Sequence, residues 1–311
     1  MKRTLLPTTL LVAAALLATC GASSVTADAA APRAFPVSVS TSAGKVVIPA
    51  RPTRILSLSA SATQMLYAIG AGSQVIGVDK YSTYPANAPR TSFTGYETSA
   101  EDYVPKHPDL VLLAYDTSHL VAQLQKLHIP ALVLGPATTV ASAQAEITEI
   151  GVATGHLAAA RSENASLAAT ISKIVAPLGS AAKGATYYIE FDPTYYSATS
   201  KSFPGALLGR LGMVNIADPA GKGSAFPQLS AEFIVKANPD YVFLADSVCC
   251  GQSATTFAKR PDFALLRAVK EHHVIAVNDS LASQWGPHAM EGFLQLAVNS
   301  VKHQASSTSS S

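Results

Sequence analysis

The sequence predicts an α/β protein of two similar lobes, each with a parallel sheet flanked by helices, joined by one long helix. The main observation is a pattern that occurs twice, 131 residues apart, at 99–114 and 230–245. Each copy has Ser-Ala-Glu, six further residues, then Pro-Asp and an apolar run. Ser is a good helix cap, an acidic residue suits the first turn, and Pro ends the element. Each copy therefore predicts a capped helix of two turns followed by a buried strand.

Around the repeats, short apolar runs alternate with segments of helical periodicity, which is typical of a parallel sheet covered by helices. The predicted strands outside the repeats are 55–59, 75–78, 131–134, 186–191 and 274–277. Ser61 is the predicted cap of the helix that follows the first of them. Between 139 and 178 the sequence predicts sustained helix. We therefore expect an N-terminal lobe at 51–155, a connecting helix at 156–178 and a C-terminal lobe at 179–303.

The N-terminus predicts export. Lys2 and Arg3 precede an apolar run at 5–17, which is too short to span a membrane and is typical of a signal peptide. The Leu-Ala-Thr-Cys that follows resembles a bacterial lipobox, in which Cys20 would carry the lipid. The alternative is ordinary signal cleavage near residues 27–29, where small residues cluster. Export follows from either interpretation.

The charge composition limits the functions that the exported chain can have. Without Lys2 and Arg3 the 22 basic residues become 20, equal to the 20 acidic residues, so electrostatic nucleic-acid binding is excluded. We expect a monomer that is lipid-anchored on the outer face of the cell membrane, or periplasmic or secreted if Cys20 is not lipidated. The terminal segments are assigned as a signal peptide at 1–20, a flexible tether and entry segment at 21–50, and a disordered tail at 304–311.

The two remaining cysteines, Cys249 and Cys250, are adjacent. Adjacent Cα atoms lie about 3.8 Å apart, below the usual disulfide span of about 4.4–6.8 Å. An oxidising compartment nevertheless permits a vicinal disulfide. Two free thiols on a loop are the alternative, and both interpretations stay open at this point.

Catalytic motifs are missing from the sequence. It contains no Gly-x-Ser-x-Gly, no His-Glu-x-x-His and no phosphate loop ending in Gly-Lys-Ser/Thr. The glycines at 70–72 follow a predicted helix, whereas a dinucleotide loop precedes one. We therefore expect no catalytic residues, no resident metal and no cofactor.

Aromatic residues instead follow several predicted strands. The carboxyl ends of strands are where open α/β sheets bind ligands, and aromatic rings suit a flat or bulky ligand. The residues at these exits are Tyr81, Tyr115, Phe191, Tyr195 and Asp246, together with the single tryptophan, Trp285.

Several blocks resemble the iron-chelate and vitamin B12 class of substrate-binding proteins for ABC importers. They are residues 54–66, 77–85 and 227–230, together with both Glu/Pro-Asp repeats. The resemblance covers about 51–301 and implies two Rossmann-like lobes that close little on binding. It further implies that Glu101 and Glu232, one from each lobe, dock on arginines of the importer's membrane subunits.

The resemblance also adds Tyr96 and Phe226, which stand where related proteins often have tryptophan. With the strand-exit residues they complete the predicted ligand site. Few arginines at the strand exits favour cobalamin or a neutral hydroxamate among ferric siderophores. A haem-binding importer component, with Tyr81, Tyr115 or His288 as axial ligand, is the alternative. An exported enzyme or sensor built on the same lobes is the other class considered.

Overall fold

The computed structural model describes residues 35–41, 44–97 and 99–308. The predicted signal peptide, Cys20 and the last three residues of the predicted tail lie outside them. Within the predicted tether, an antiparallel pair of strands, β1 (Val37–Thr41) and β2 (Gly44–Ile48), packs on the first lobe. The alternation of buried and exposed residues along β1 fits one face against the core.

The first lobe has a four-stranded sheet in which every pairing is parallel. Its strands are β3 (Ile55–Leu58), β4 (Val75–Val78), β5 (Leu110–Leu113) and β6 (Ala131–Val133). Their spatial order is β4-β3-β5-β6. The helices of this half are α1 (Ala60–Ala68), α2 (Leu120–Lys126) and α3 (Val140–Thr154).

The helix α4 (Leu157–Val175) leads from the first half to the second. It packs against both α3 and the final helix, α10 (Pro287–Thr308). A helix that has already nucleated extends at little cost into Gln and Ala residues. The backbone of α10 accordingly continues through Thr308, into the segment 304–311 for which a disordered tail stays a prediction.

The second lobe repeats the topology of the first. Its strands are β7 (Thr186–Glu190), β8 (Val214–Asn215), β9 (Tyr241–Leu244) and β10 (Val274–Ala276). Their order is β10-β9-β7-β8, again with parallel pairings only. Counted along the chain within each lobe, both sheets have the order 2-1-3-4. The predicted fold class is confirmed, and the two Pro-Asp strands, β5 and β9, lie in different sheets.

Shorter helices surround the second sheet. They are α5 (Phe203–Gly209), α6 (Ala231–Ala237), α7 (Ala254–Ala258), α8 (Arg267–Lys270) and α9 (Asp279–Ser283). One continuous apolar core includes Leu112 of β5, Phe243 of β9 and Phe293 of α10. Because close-packed cores resist deformation, the two lobes are held in a fixed relation by this shared core.

The aspartate of each Pro-Asp repeat has the same structural role. The backbone N–H and hydroxyl of Thr53 donate to Asp109 Oδ2 at 2.8 and 3.0 Å. Those of Thr186 donate to Asp240 Oδ2, both at 2.7 Å. Each carboxylate therefore fixes the residue at or just before the start of the adjacent central strand.

The helices of the two repeats differ. The second copy forms α6, which Ser230 caps by accepting from the Phe233 N–H at 3.1 Å. The first copy forms two consecutive 3-10 turns, Ala100–Asp102 and Val104–Lys106, instead of the predicted helix. Pro105 explains the difference, because proline lacks the N–H that a continuous helix requires and disfavours helical backbone at the preceding residue.

Candidate functional site

A cleft of about 650 Å³ lies between the strand-exit loops of the two lobes. The first lobe contributes loops that follow β3, β4 and β5, and the second contributes loops that follow β9 and β10. This is where parallel α/β sheets present their ligand sites. The volume falls within the range of about 300–1,000 Å³ that is usual for small-molecule pockets.

Three predicted tyrosines form the first-lobe wall of this cleft. The exposed fractions of Tyr81, Tyr96 and Tyr115 are 50%, 56% and 43%. The rings of Tyr96 and Tyr115 are nearly parallel, at 18°, with centroids 6.4 Å apart. Burial, with a smaller contribution from Tyr96, raises the pKa of Tyr115, so its hydroxyl stays protonated at neutral pH. Half-exposed aromatic rings grouped on one wall offer both stacking area and hydroxyl donors to a ligand.

The tyrosine loops are fixed by two carboxylates. Asp79 is almost fully buried, and its Oδ1 accepts the N–H groups of Tyr81 and Ser82 at 2.8 and 2.7 Å. Burial outweighs these bonds and raises the pKa of Asp79 to about 6. Glu97 accepts the N–H of Gly95 at 2.9 Å and the hydroxyl of Tyr103 at 2.9 Å. Burial alone would raise the pKa of Glu97, but its hydrogen bonds lower it.

The second-lobe wall contains the cysteine loop, defined here as residues 247–252. The structure pairs Cys249 and Cys250 as a vicinal disulfide, and Val248 and Cys249 line the cleft. The carboxylate of Asp279 accepts the N–H of Val248 at 2.9 Å and that of Cys249 at 2.6 Å. The Ser247 hydroxyl donates to the Val277 carbonyl at 2.5 Å. The loop is therefore tied to the exit of β10.

Trp285 lines the cleft where the two lobes meet, but it is only 8% exposed. Its backbone N–H donates to Ser61 Oγ at 3.0 Å, and its indole N–H donates to Glu146 Oε2 at 2.7 Å. Ser61 lies in α1 and Glu146 in α3, so a residue of the second half is anchored on the first lobe. Burial outweighs the Trp285 hydrogen bond and raises the pKa of Glu146 to about 7.

The contact around Trp285 extends through a pair of glutamines. Gln64 in α1 donates to Gln284 Oε1 at 2.6 Å and accepts the N–H of Ala289 at 3.1 Å. Gly286 lies against the Gln64 side chain, and a Cβ at this position would overlap it. A glycine is therefore required for the start of α10 to approach α1 so closely.

Four predicted contacts lie outside the lining of this cleft. Phe191 packs edge to face on Phe226 with centroids 5.9 Å apart, and Phe226 is 51% exposed. Tyr195 is partly buried against Phe263. Asp246 is fully buried, so it has no surface to offer a ligand, which corrects the direct contact predicted for it. Ligand contact by the three aromatic residues stays a prediction.

Asp246 instead belongs to a buried charged cluster beneath the cysteine loop, composed of Glu190, Asp246 and Arg260. Arg260 binds Glu190 with two hydrogen bonds of 2.7 and 2.6 Å, and Glu190 is fully buried. Among the described residues, neither carboxylate oxygen of Asp246 has a hydrogen-bond partner. Burial and the adjacent Glu190 charge raise the pKa of Asp246 to about 7. Glu190 and Arg260 were not predicted from the sequence, because only the fold brings the end of β7 next to Arg260, which follows α7.

Both predicted docking glutamates lie on the surface. Glu101 follows Ser99, whose Oγ accepts the Glu101 N–H at 3.2 Å, and Glu232 lies in the first turn of α6. Both side chains are exposed, and neither forms an ion pair with another side chain in the described part of the chain. They are therefore available to an external cationic partner.

The described residues offer neither a metal cluster nor a membrane span. Within 35–41, 44–97 and 99–308, no three His, Cys, Asp or Glu side chains are grouped so as to hold a metal ion. In the same part of the chain, no helix has the length and apolar character needed to cross a bilayer.

Comparison with known proteins assigns the family. Residues 55–281 match the model of the periplasmic binding protein family, and the chain belongs to that family. The resemblance inferred from the sequence is thereby confirmed.

Two curated relatives cover most of this chain. An uncharacterized ABC transporter substrate-binding lipoprotein, YvrC of Bacillus subtilis, is 29% identical over 93% of this chain and 94% of the relative. A cobalamin-binding protein of Halobacterium salinarum is 28% identical over 87% of this chain and 76% of the relative.

A solved structure has the same fold. The periplasmic heme-binding protein RhuT from Roseiflexus sp. RS-1, in its apo form, superposes with a TM-score of 0.68 at 22% identity. The match covers 82% of this chain and 99% of that one.

Proposed function

We propose that this protein is the extracytoplasmic substrate-binding component of an ABC importer and delivers a metal chelate, cobalamin or a ferric siderophore. The observation that carries the proposal is the interlobe cleft with three half-exposed tyrosines on one wall. Large exposed aromatic groups in a concave site favour a bulky ligand with flat or apolar faces. The family assignment and the absence of a catalytic motif both favour delivery over an exported enzyme or sensor.

The charges of the cleft narrow the ligand class. Lys80 is the one basic side chain among the described residues that line the cleft, and its Nζ lies 5.0 Å from the centroid of the Tyr81 ring. Asp79 and Asp279 line the same cleft. A polyanionic catecholate would find little compensation here, because recognition of several negative charges calls for arginine forks. A neutral hydroxamate chelate or cobalamin suits these walls better, and a cobalamin-binding relative agrees with this preference.

Haem is the second candidate, favoured by two half-exposed phenols in the cleft, those of Tyr81 and Tyr115. A tyrosine oxygen is one of the axial ligands that haem iron accepts. His288 is less suited, because its ring stacks on Tyr84 with centroids 3.7 Å apart. If haem is the ligand, Tyr81→Phe or Tyr115→Phe should change its absorbance spectrum, whereas His288→Ala should leave it unchanged.

We further propose that Glu101 and Glu232 dock on cationic residues of the importer's membrane subunits. Their exposure, their lack of ion-pair partners within the described part of the chain and their matched places in the two repeats support this role. Export with a lipid on Cys20 would keep the protein at the outer face of the membrane. Mass spectrometry of the protein recovered from the membrane fraction tests the anchor. Cys20→Ala should abolish the added mass of the lipid.

The decisive experiment combines ligand identification with transport. Native mass spectrometry and an absorbance spectrum of the purified protein should show a bound chelate. If the protein is purified empty, adding cobalamin, a ferric hydroxamate, a ferric catecholate or haem should shift its melting temperature. Glu101→Arg with Glu232→Arg should abolish uptake while affinity changes by less than about threefold, because like-charge juxtaposition costs several kcal/mol at the permease only. Normal uptake by the double variant would refute the docking role. No response to any chelate would refute the ligand class.

A further inference from the structure

The cysteine loop is an exposed apolar surface on a rigid support. Val248 is 68% exposed, and both Cys249 and Cys250 are exposed. Single exposed apolar residues are ordinary, whereas contiguous exposed apolar residues in a groove are typical of a ligand site, and here three consecutive residues are exposed, two of which line the cleft. The free protein therefore leaves a sulfur-containing apolar surface uncovered on the second-lobe wall, in the same cleft as the tyrosines.

Hydrogen bonds hold this surface in place from two sides. On one side, Asp279 accepts the N–H groups of Val248 and Cys249. On the other side, the Asp246 carbonyl accepts the N–H groups of Cys250 and Gln252 at 3.2 and 3.3 Å. A contact surface that is fixed before binding loses little conformational entropy when the ligand arrives.

We propose that the oxidised Cys249–Cys250 pair is itself a ligand contact, with its disulfide packed against an apolar face of the bound chelate in the cleft shared with Tyr96 and Tyr115. This inference rests on the proposed function and adds a specificity-determining element to it. Divalent sulfur is polarizable and has no strong hydrogen-bond donor, so it suits apolar or conjugated surfaces rather than charged groups. The ring formed by adjacent cysteines presents both sulfurs as one unit.

The contact is sensitive to reduction. A dithiol reductant supplies two electrons and two protons, the S–S bond breaks, and two S–H groups form while the dithiol becomes a disulfide. The two thiol side chains then rotate independently, so the common surface is lost. Binding should therefore depend on the oxidation state of the protein.

The test uses four samples of the full chain with cyanocobalamin, ferric desferrioxamine B and haem as probes in calorimetric titrations. The samples are oxidised protein, protein reduced with dithiothreitol and desalted under anaerobic conditions, the same protein reoxidised, and Cys249→Ser with Cys250→Ser. Thiol counts verify each state, and melting temperatures verify folding. Leu265→Ser is the matched control, since Leu265 is 63% exposed in the second half but does not line the cleft.

We expect the reduced protein and the serine pair to bind the effective probe about tenfold more weakly, with recovery on reoxidation and no change for Leu265→Ser. Affinity of the reduced protein within about twofold of the oxidised protein would overturn the proposal and leave the proposed function intact. If the oxidised protein binds none of the three probes and no ferric catecholate, the proposed function fails, and the disulfide contact fails with it.

Discussion

The two lobes share a strand order but differ in the residues at the exits of their central strands. In the first lobe, Tyr115 comes after β5 with one intervening residue and is half exposed in the cleft. In the second lobe, the equivalent strand β9 is followed by Asp246, which is fully buried. The last residue of β7, Glu190, is also fully buried and is bound by Arg260.

This difference shows that the repeated topology keeps the residues that align the central strands, whereas the residues at the strand exits are free to differ between the lobes. Asp109 and Asp240 make the same hydrogen bonds to Thr53 and Thr186, because both sheets need their central strands aligned. The strand exits carry no such requirement. The first lobe has exposed tyrosines at these exits, and the second lobe has the buried side chains of Glu190 and Asp246 beneath the cysteine loop.

The largest expected effect comes from breaking the buried ion pair of the second lobe. Arg260→Met should lower the free energy of unfolding by about 3–5 kcal/mol, because Glu190 would keep a buried charge with no opposite charge beside it, although the Tyr188 hydroxyl still donates to it. Urea unfolding at neutral pH measures this directly. The matched control is Arg267→Met, since Arg267 pairs with Asp240 but is 51% exposed, and its loss should cost at most about 1 kcal/mol. Equal costs for the two variants would show that the second-lobe cluster is not a buried support.

The next largest expected effect is a pH dependence of the free energy of unfolding that arises from Asp246. Its pKa rises from 3.8 in the unfolded chain to about 7 in the folded protein. Between these values only the folded state holds the proton, so the free energy of unfolding falls as the pH rises. From about pH 5 to about pH 7 the loss should be on the order of 2–3 kcal/mol.

Asp246→Asn should remove this part of the slope, because the amide resembles the protonated carboxyl and does not titrate. Asp79 and Glu146 titrate in the same direction, so the difference between variant and wild-type profiles isolates Asp246. If the unfolding free energies of wild type and Asp246→Asn changed with pH in parallel, Asp246 would not be the source of this slope. The first lobe provides the comparison, since Asp79→Asn should change the slope less, its folded pKa being raised only to about 6.

Sequence alone predicted the fold because its signals are local and repeated. The two Pro-Asp strands, the alternation of strands with helices and the intervening helical stretch each depend on neighbouring residues. Pro105 is the informative exception. The proline is visible in the sequence, but the similarity of the two repeats favoured a helix in the first repeat that this proline does not allow.

The site was only partly predictable, because much of it is made by contacts distant in sequence. Tyr81, Tyr96, Tyr115 and Trp285 were found as aromatic residues at strand exits or by resemblance, and the structure places all four at the cleft. Ser61 was predicted to cap α1, but Ser59 caps it, which leaves Ser61 to accept the Trp285 N–H. No local pattern marks Glu146 or Arg260, whose partners are 139 and 70 residues away.

A smaller effect tests the bond that joins the two halves at the cleft. Trp285→Phe removes the indole N–H that Glu146 accepts and should cost about 1–2 kcal/mol of unfolding free energy at pH 8. The cost should be smaller at about pH 6, where a Glu146 with a pKa of about 7 is mostly protonated and accepts a weaker bond. Glu146→Gln is the control, because its amide oxygen accepts the same N–H without titrating. A cost independent of pH would show that only packing was lost.

The smallest effect decides which lobe supplies the aromatic contacts. Tyr115→Ala should weaken binding of the identified chelate by about 1 kcal/mol, or about fivefold, since an aromatic contact is worth about 0.5–1.5 kcal/mol beyond its buried area. Phe226→Ala is the matched variant, because Phe226 is similarly exposed but lies outside the cleft lining. Its affinity should stay within about twofold of wild type. If Phe226→Ala were the more damaging change, the ligand would extend onto the exits of the second lobe, where sequence analysis placed it. The aromatic contacts would then not be confined to the first lobe.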